Sequence, residues 1–181
     1  MTAALILAAG AGHRMGGPKA LLSYQGETLL RRAARAALGA GCAPVLAVVG
    51  DWDPGLGGLA VQTLVNPEAT EGMASSIRIG VAALPPEAEA VLILGVDQPV
   101  VDSVLLRHLL DLSAADPARP AACAYAGTLG IPAVLPQRLF GDLMALQGDR
   151  GAKAILLREG AAALPFPAGA DDLDTPGDLR R

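Results

Sequence analysis

Short unbroken apolar runs along this chain alternate with stretches whose apolar positions recur every three to four residues. The runs cover residues 5–9, 45–49, 91–95, 121–125 and 133–135, and residues 61–65, with Gln62 and Thr63 inside, read as a further strand. Runs this short and this continuous predict strands buried on both faces, as in a parallel sheet covered by helices. The periodic stretches predict helices over residues 29–40, 75–84, 103–115, 139–146 and 152–158. In the first of these, Leu29, Leu30, Ala33, Ala34, Ala37 and Leu38 share one face. Arg31, Arg32 and Arg35 lie off that face and read as solvated, and Gly39 and Gly41 are natural stops. Ser75 or Ser76 is a natural N-cap for the second helix, and Asp102 or Ser103 for the third. Residues 127–132 read as a turn between the last two strands, and Phe166 as part of a short extended piece. Strand and helix alternate through the first two-thirds without internal repeat or low-complexity linker, which predicts an α/β fold.

Composition narrows this picture. The chain has 181 residues, read as one domain over 1–181, with 52% hydrophobic but only 3% aromatic residues. Ala, Leu and Val must therefore build the core, which suits close packing of helices on a sheet. A net charge of −4 argues against a nucleic-acid surface, which would show clustered Lys and Arg. A nucleotide can still bind where a few cations or a metal ion are concentrated. Cys42 and Cys123 sit in Ala-rich settings and read as buried free thiols, which fits a reducing cytoplasm. The N-terminal run lacks a basic start and leads into a Gly loop, so it reads as a strand rather than a signal peptide. Arg35 and Pro44 interrupt the apolar region 33–49, so it is not a membrane span.

The candidate chemistry begins where the first run meets Gly10, Gly12, Gly16 and Gly17, with Arg14 and Lys19 in and after the loop. Three readings stay open here. One is a Gly-rich turn carrying two solvated cations. Another is a dinucleotide fingerprint built on Gly10, Gly12 and Gly16, for which Asp51 at a later strand end is weak support. Gly16-Gly17-Pro18 counts against the helix that fingerprint needs. The third is an open loop draped over a triphosphate, with Arg14 and Lys19 as charge contacts. The P-loop pattern is absent.

Further along, residues 66–76 form a polar loop beside an apolar strand, which marks a binding segment or simple helix capping. Asp97 follows the most apolar strand. It is either a metal ligand at a sheet's carboxyl edge or the shaper of a turn before Pro99. His108 reads as a helix-surface residue. Asp172 and Asp174 flank Leu173, so both carboxylates point the same way in an extended segment before Thr175-Pro176.

Five blocks then stand in order: Leu7-Ala8-Ala9-Gly10 with Arg14-Met15-Gly16 and Pro18-Lys19; Asn66-Pro67 with residues 71–76; Asp97-Gln98-Pro99; Gly148-Asp149-Arg150-Gly151; and Asp172-Leu173-Asp174-Thr175-Pro176. With them the chain resembles a MobA-like nucleotidyltransferase, and within that family the molybdenum cofactor cytidylyltransferases. The resemblance runs nearly end to end. It implies a Rossmann-like three-layer α/β/α fold with a mostly parallel central sheet, of the nucleotide-diphospho-sugar transferase type. It also implies a Mg²⁺-dependent transfer of CMP from CTP, or of another NMP, to a phosphorylated pterin, with a molybdoenzyme or its chaperone as a further partner. Arg14 and Lys19 then become catalytic. Leu7, Ala8, Ala9, Gly10, Gly12, Gly72 and Ser75 bind nucleotide, and Asp97, Asp174 and Asp172 bind metal. The chain departs from the family in having Gly130-Ile131-Pro132 where Gly-His-Pro is frequent. His13 falls at a variable position and carries no role. The rivals are a guanylyl- or other nucleotidyltransferase, an NAD(P)-dependent oxidoreductase using Gly10, Gly12 and Gly16, and a binding-only chaperone for a pterin.

Overall fold

The computed structural model describes residues 1–10 and 17–170. Among the described residues nine strands are interspersed with helices. They are β1 (Thr2–Leu7), the two-residue pair β2 (Ser23–Tyr24) and β3 (Glu27–Thr28), α1 (Leu29–Gly39), β4 (Val45–Val49) and β5 (Val61–Val65). The chain continues through α2 (Met73–Ala82), β6 (Ala90–Gly95), α3 (Ser103–Ala115), β7 (Ala121–Tyr125) and β8 (Thr128–Pro136). It closes with α4 (Phe140–Met144), α5 (Lys153–Arg158) and β9 (Ala162–Pro165).

Seven strands make one sheet in the order β5-β4-β1-β6-β8-β7-β9. All its pairings are parallel except those that β8 makes with β6 and β7. Alternate residues of the continuous apolar strands enter opposite layers. Ala4 and Ile6 of β1 pack with Leu30 and Ala34 of α1 and Leu106 of α3. Leu5, between them, packs with Ile77 of α2 on the other face, where Leu143 of α4 and Leu156 of α5 also lie. The mostly parallel, two-sided sheet is the architecture the sequence predicts.

Four details differ from the sequence reading. β1 covers 2–7 rather than 5–9, because Thr2 to Ala4 extend the ladder against Ala90 to Leu92. Ala8 still donates to the Val48 carbonyl at 2.8 Å before the chain leaves the sheet. β8 starts at Thr128, since Ala126 (φ 48°) and Gly127 (φ 71°) make a tight turn with both residues left-handed. Its pairing with β7 passes from Ala122–Ala133 to Cys123–Gly130, so Ile131 and Pro132 bulge without partners on β7. The β2–β3 hairpin, with two residues a side, is too short to register as a run, and β9 falls within the apolar stretch 161–166 that ends at Phe166.

The helix starts vary in their chemistry. Thr28 caps α1 by accepting from the Arg31 N–H at 3.3 Å. Asp102 caps α3 by accepting from Val104 and Leu105, as predicted. α2 starts at Met73, so neither Ser75 nor Ser76 is its cap; Gly72, at φ 123°, turns the chain into the helix. Of the three arginines of α1 only Arg35 is exposed as expected, while Arg31 and Arg32 are partly buried. Arg31 donates to the Gly55 and Gly57 carbonyls, Arg32 lies over the Tyr24 ring at 5.1 Å, and Arg35 pairs with Glu27. Cys42 and Cys123 are buried free thiols, pushed by burial up to about 11 and about 12. Among the described residues no helix is long and apolar enough to cross a membrane.

Gly80 sets how closely α2 approaches the sheet, because a Cβ there would collide with the Leu5 side chain. Leu5 is fully buried and has nowhere to move. Gly80→Ala therefore overpacks this layer by ~1–3 kcal/mol, more than the ~1 kcal/mol that alanine gains over glycine inside a helix. Urea unfolding should show a lower midpoint with an unchanged slope, and an unchanged or raised midpoint would mean that the layer has slack.

Candidate active site

Parallel pairing ends with Leu7 of β1 opposite both Val48 of β4 and Gly95 of β6. The loops after these strands therefore leave the sheet at one edge, where open α/β sheets bind ligands. A cleft of about 390 Å³ opens there. Of the residues singled out from sequence, Leu7, Ala8, Ala9, Gly10, Lys19, Gly72 and Asp97 all line it. A Cβ at Gly10 would meet nothing within 4 Å, so the cleft is open above that backbone. Gly12, Arg14, Asp172 and Asp174 lie outside the described residues.

Ser75 is placed differently from the other predicted nucleotide contacts. It is fully buried beneath the cleft, where its hydroxyl donates to the Gly72 carbonyl at 2.8 Å. The Asn66 amide donates to Ser75 and Ser76 at 2.9 Å each, and its carbonyl accepts from the Glu68 N–H at 2.8 Å. Asn66 is buried, so these bonds are needed to offset its desolvation. The polar residues of this loop thus hold Gly72 in its left-handed conformation, and Ser76 rather than Ser75 reaches the cleft.

Asp97 stands just past the carboxyl end of β6, and its Oδ1 folds back over Gly95. A Cβ on Gly95 would come within 2.7 Å of that oxygen, so the small residue makes room for the carboxylate. The bulged Ile131 lines the cleft on the other side of Gly95. Two contacts that the sequence reading missed brace this turn. Arg32 donates to the Pro99 carbonyl at 3.0 Å, and the buried Gln98 amide donates to the Gly169 carbonyl at 2.8 Å. Among the described residues no group of three or more His, Cys, Asp or Glu gathers as a metal cage. Asp97 brings a carboxylate to the cleft from the end of β6, and a hard cation that also takes phosphate oxygens needs only one or two. The donor set fits Mg²⁺ or Mn²⁺.

Asp149 reaches the cleft because the 147–149 turn is docked on the start of α2. The Ala74 N–H donates to the Gly148 carbonyl at 3.0 Å, and the Gly148 N–H donates to Glu71 Oε1 at 3.2 Å. Arg78, on α2, grips Glu71 with both terminal nitrogens, at 2.8 and 2.5 Å, and donates to the Leu146 carbonyl at 2.8 Å. The Arg78 guanidinium, and then the Gly148 N–H, hold the Glu71 carboxyl down to about 2.

Comparison with known proteins fits this geometry. The MobA-like NTP transferase domain family matches residues 4–163. The chain belongs to this family. It is 32% identical to the molybdenum cofactor guanylyltransferase of Rhodobacter capsulatus, over 99% of this chain and 93% of that one. It is also 35% identical to the nicotine blue oxidoreductase of Paenarthrobacter nicotinovorans, over 84% of this chain and 79% of that one. The structure of Rv0371c from Mycobacterium tuberculosis H37Rv in complex with manganese superposes with a TM-score of 0.76. It is 27% identical and covers 99% of this chain and 96% of that one. The fold, of the nucleotide-diphospho-sugar transferase type, is shared with solved nucleotidyl- and cytidylyltransferases.

As a MobA-like domain the protein is a nucleotidyltransferase, and the cleft has the parts this chemistry uses. Backbone from Leu7 to Gly10 forms one wall, Lys19 brings a cation, and Asp97 brings a hard oxygen donor. The dinucleotide reading requires a helix straight after β1. Among the described residues, Lys19–Leu21 form a short 3-10 turn and the β2–β3 hairpin precedes α1.

The Glu71 titration provides a check on the docked turn. A carboxyl depressed in the folded state stabilises it above the ordinary value of 4.5, and the contribution disappears as pH falls through about 2. A ¹³C titration of the Glu71 carboxyl should show a midpoint near 2, returning towards 4.5 in Arg78→Met. An ordinary midpoint in the unmodified protein would mean that the fork does not persist in solution.

Proposed function

We propose that this chain transfers CMP from CTP to the phosphate of a molybdopterin-type acceptor and releases pyrophosphate. The observation that carries this reading is the meeting of Leu7–Gly10, Lys19, Gly72 and Asp97 in one cleft at the carboxyl edge of the sheet. An acceptor phosphate oxygen attacks the α-phosphorus in line as pyrophosphate leaves, so no covalent enzyme intermediate is needed. Catalysis is then alignment together with neutralisation of charge. Lys19 neutralises the α-phosphate and its attacker, while Arg14 grips the leaving phosphates. The backbone of Ala8, Ala9 and Gly10, with Gly12 and Gly72, receives the base and ribose, and Ser75 acts by holding Gly72. Asp97, with Asp174 and Asp172, holds Mg²⁺, which when bound offsets phosphate charge. A molybdoenzyme or its chaperone receives the finished cofactor, and two buried free thiols suit a reducing cytoplasm.

CTP is favoured on room. Ala9 is buried against Leu5 and Ala74 at the cleft wall, where glycine would leave space for a purine. A methyl group gives only about 1–3 kcal/mol of discrimination, so backbone hydrogen bonds to the base edge supply the rest. Two relatives favour other readings: the guanylyltransferase points to GTP, and the nicotine blue oxidoreductase to a nicotinamide cofactor. A panel of the four NTPs, with and without Mg²⁺, separates them when pyrophosphate release is followed with a molybdopterin acceptor and NADH and NADPH binding is measured in parallel. We expect the highest kcat/KM with CTP. A GTP preference overturns the base assignment alone, whereas NAD(P)H binding without NTP binding overturns the transfer reaction.

The metal assignment has its own signature. Asp97→Asn and Asp174→Asn should each lower Mg²⁺-dependent turnover, and the double variant should lose little more than the worse single, because groups sharing one ion act as a unit. Strictly additive losses would mean that the two carboxylates do not share it.

A further inference from the structure

The turn at Gln147 to Asp149 brings to the cleft a carboxylate that has no part in phosphate neutralisation. Asp149 is exposed, lines the cleft with Lys19 and Asp97, and rests against Gly72. Its position is fixed through its neighbour. The Gly148 peptide groups are held on both sides, the N–H by Glu71 and the carbonyl by the Ala74 N–H at the start of α2. The Arg78 fork in turn fixes Glu71 and the Leu146 carbonyl. Gly72 leaves room for the whole contact, since a Cβ there would come within 2.6 Å of the Gly148 carbonyl and overlap Asp149. This arrangement places one carboxylate beside the backbone turn that receives the nucleoside.

A carboxylate repels the phosphates that Lys19 attracts, so the part of the ligand that meets Asp149 has to carry hydrogen-bond donors. A nucleoside offers two sets, the exocyclic amine of its base and the hydroxyls of its ribose. We propose that Asp149 accepts a hydrogen bond from such an N–H or O–H donor of the bound nucleotide, and that Glu71 and Arg78 are positioning residues that aim it. The proposal rests on the nucleotide reading of the cleft. It also gives a reason for a bidentate ion pair at this otherwise ordinary helix start. Half-exposed salt bridges contribute little to stability, yet a two-pronged fork fixes geometry well.

The test measures dissociation constants and steady-state kinetics for wild type, Asp149→Ala, Arg78→Met and the double variant. The ligands are the preferred NTP, its 2′-deoxy and 3′-deoxy forms, and a form lacking the exocyclic amine. Asp149→Ala removes an exposed side chain, and thermal melting reports whether Arg78→Met remains folded. We expect both single variants to weaken binding of the parent NTP by about tenfold, with kcat changed less than about twofold. The double variant should be no worse than Asp149→Ala. The penalty of both variants should vanish with the one analogue that lacks the donor, which identifies ribose or base as the source. A role limited to stability would weaken all the nucleotides equally, and that outcome overturns the proposal. So does equal affinity of wild type and Asp149→Ala, or a change confined to the acceptor KM. A wild type that binds none of the four NTPs overturns the transfer reading itself, and this inference with it.

Discussion

The in-register parallel pairing of β1 with β4 and β6 is the constraint on which the rest depends. All three strands are apolar on both faces, so burying them requires a helix layer on each side. Parallel strands also send their following loops to the same edge. Because Leu7 stands level with Val48 and Gly95, the backbone after β1 and the carboxylate after β6 emerge side by side. A slip of one residue would reverse every side chain of β1 between the two layers, sending Leu5 towards α1 and Ile6 towards α2. The register that satisfies the core is therefore the same register that assembles the site.

Small residues turn this placement into a usable cleft. Gly80 lets α2 lie close on Leu5, which fixes where the start of that helix meets the sheet edge. Gly72 gives the turn into α2 and makes room for the 148–149 backbone. Gly95 lets the Asp97 carboxylate fold back over the strand end. Alanine at Gly80 or Gly95 would move a wall of the cleft rather than a ligand contact. The low aromatic content follows from the same geometry, since bulky rings would hold the layers apart.

Much of this was legible in the sequence, and for a physical reason. A strand buried on both faces is an unbroken apolar run whatever its neighbours are, so β4, β6 and β7 stood out close to their observed positions. β8 did not, because Gly130 and Pro132 interrupt it and only its pairing partners show that it continues to Thr128. Leu7–Gly10, Lys19 and Asp97, which line the cleft, were legible because they follow buried strands, whereas Gly72 was marked by the family resemblance. Ser75 looked like a contact because its position in the chain does not reveal which way a hydroxyl on the first turn of a helix faces. Arg32, Gln98, Glu71 and Arg78 were missed for the converse reason. Their work lies in bonds to backbone carbonyls and N–H groups distant in sequence, which leave no local pattern.

That division between frame and site explains how one architecture can appear under such different names as a guanylyltransferase and an oxidoreductase. Much of the cleft wall is backbone and small apolar side chain, which suits any flat base and favours no single reaction. Charge enters at few points, and Lys19, Asp97 and Asp149 supply it among the described lining residues. Each of them sits on a loop rather than within a strand or an α-helix, so each can change without disturbing the two-sided core. The sheet edge thus sets where a ligand can be received. What happens to it is settled by a few loop residues and the bonds that brace them, and function has to be argued from those residues rather than from the fold.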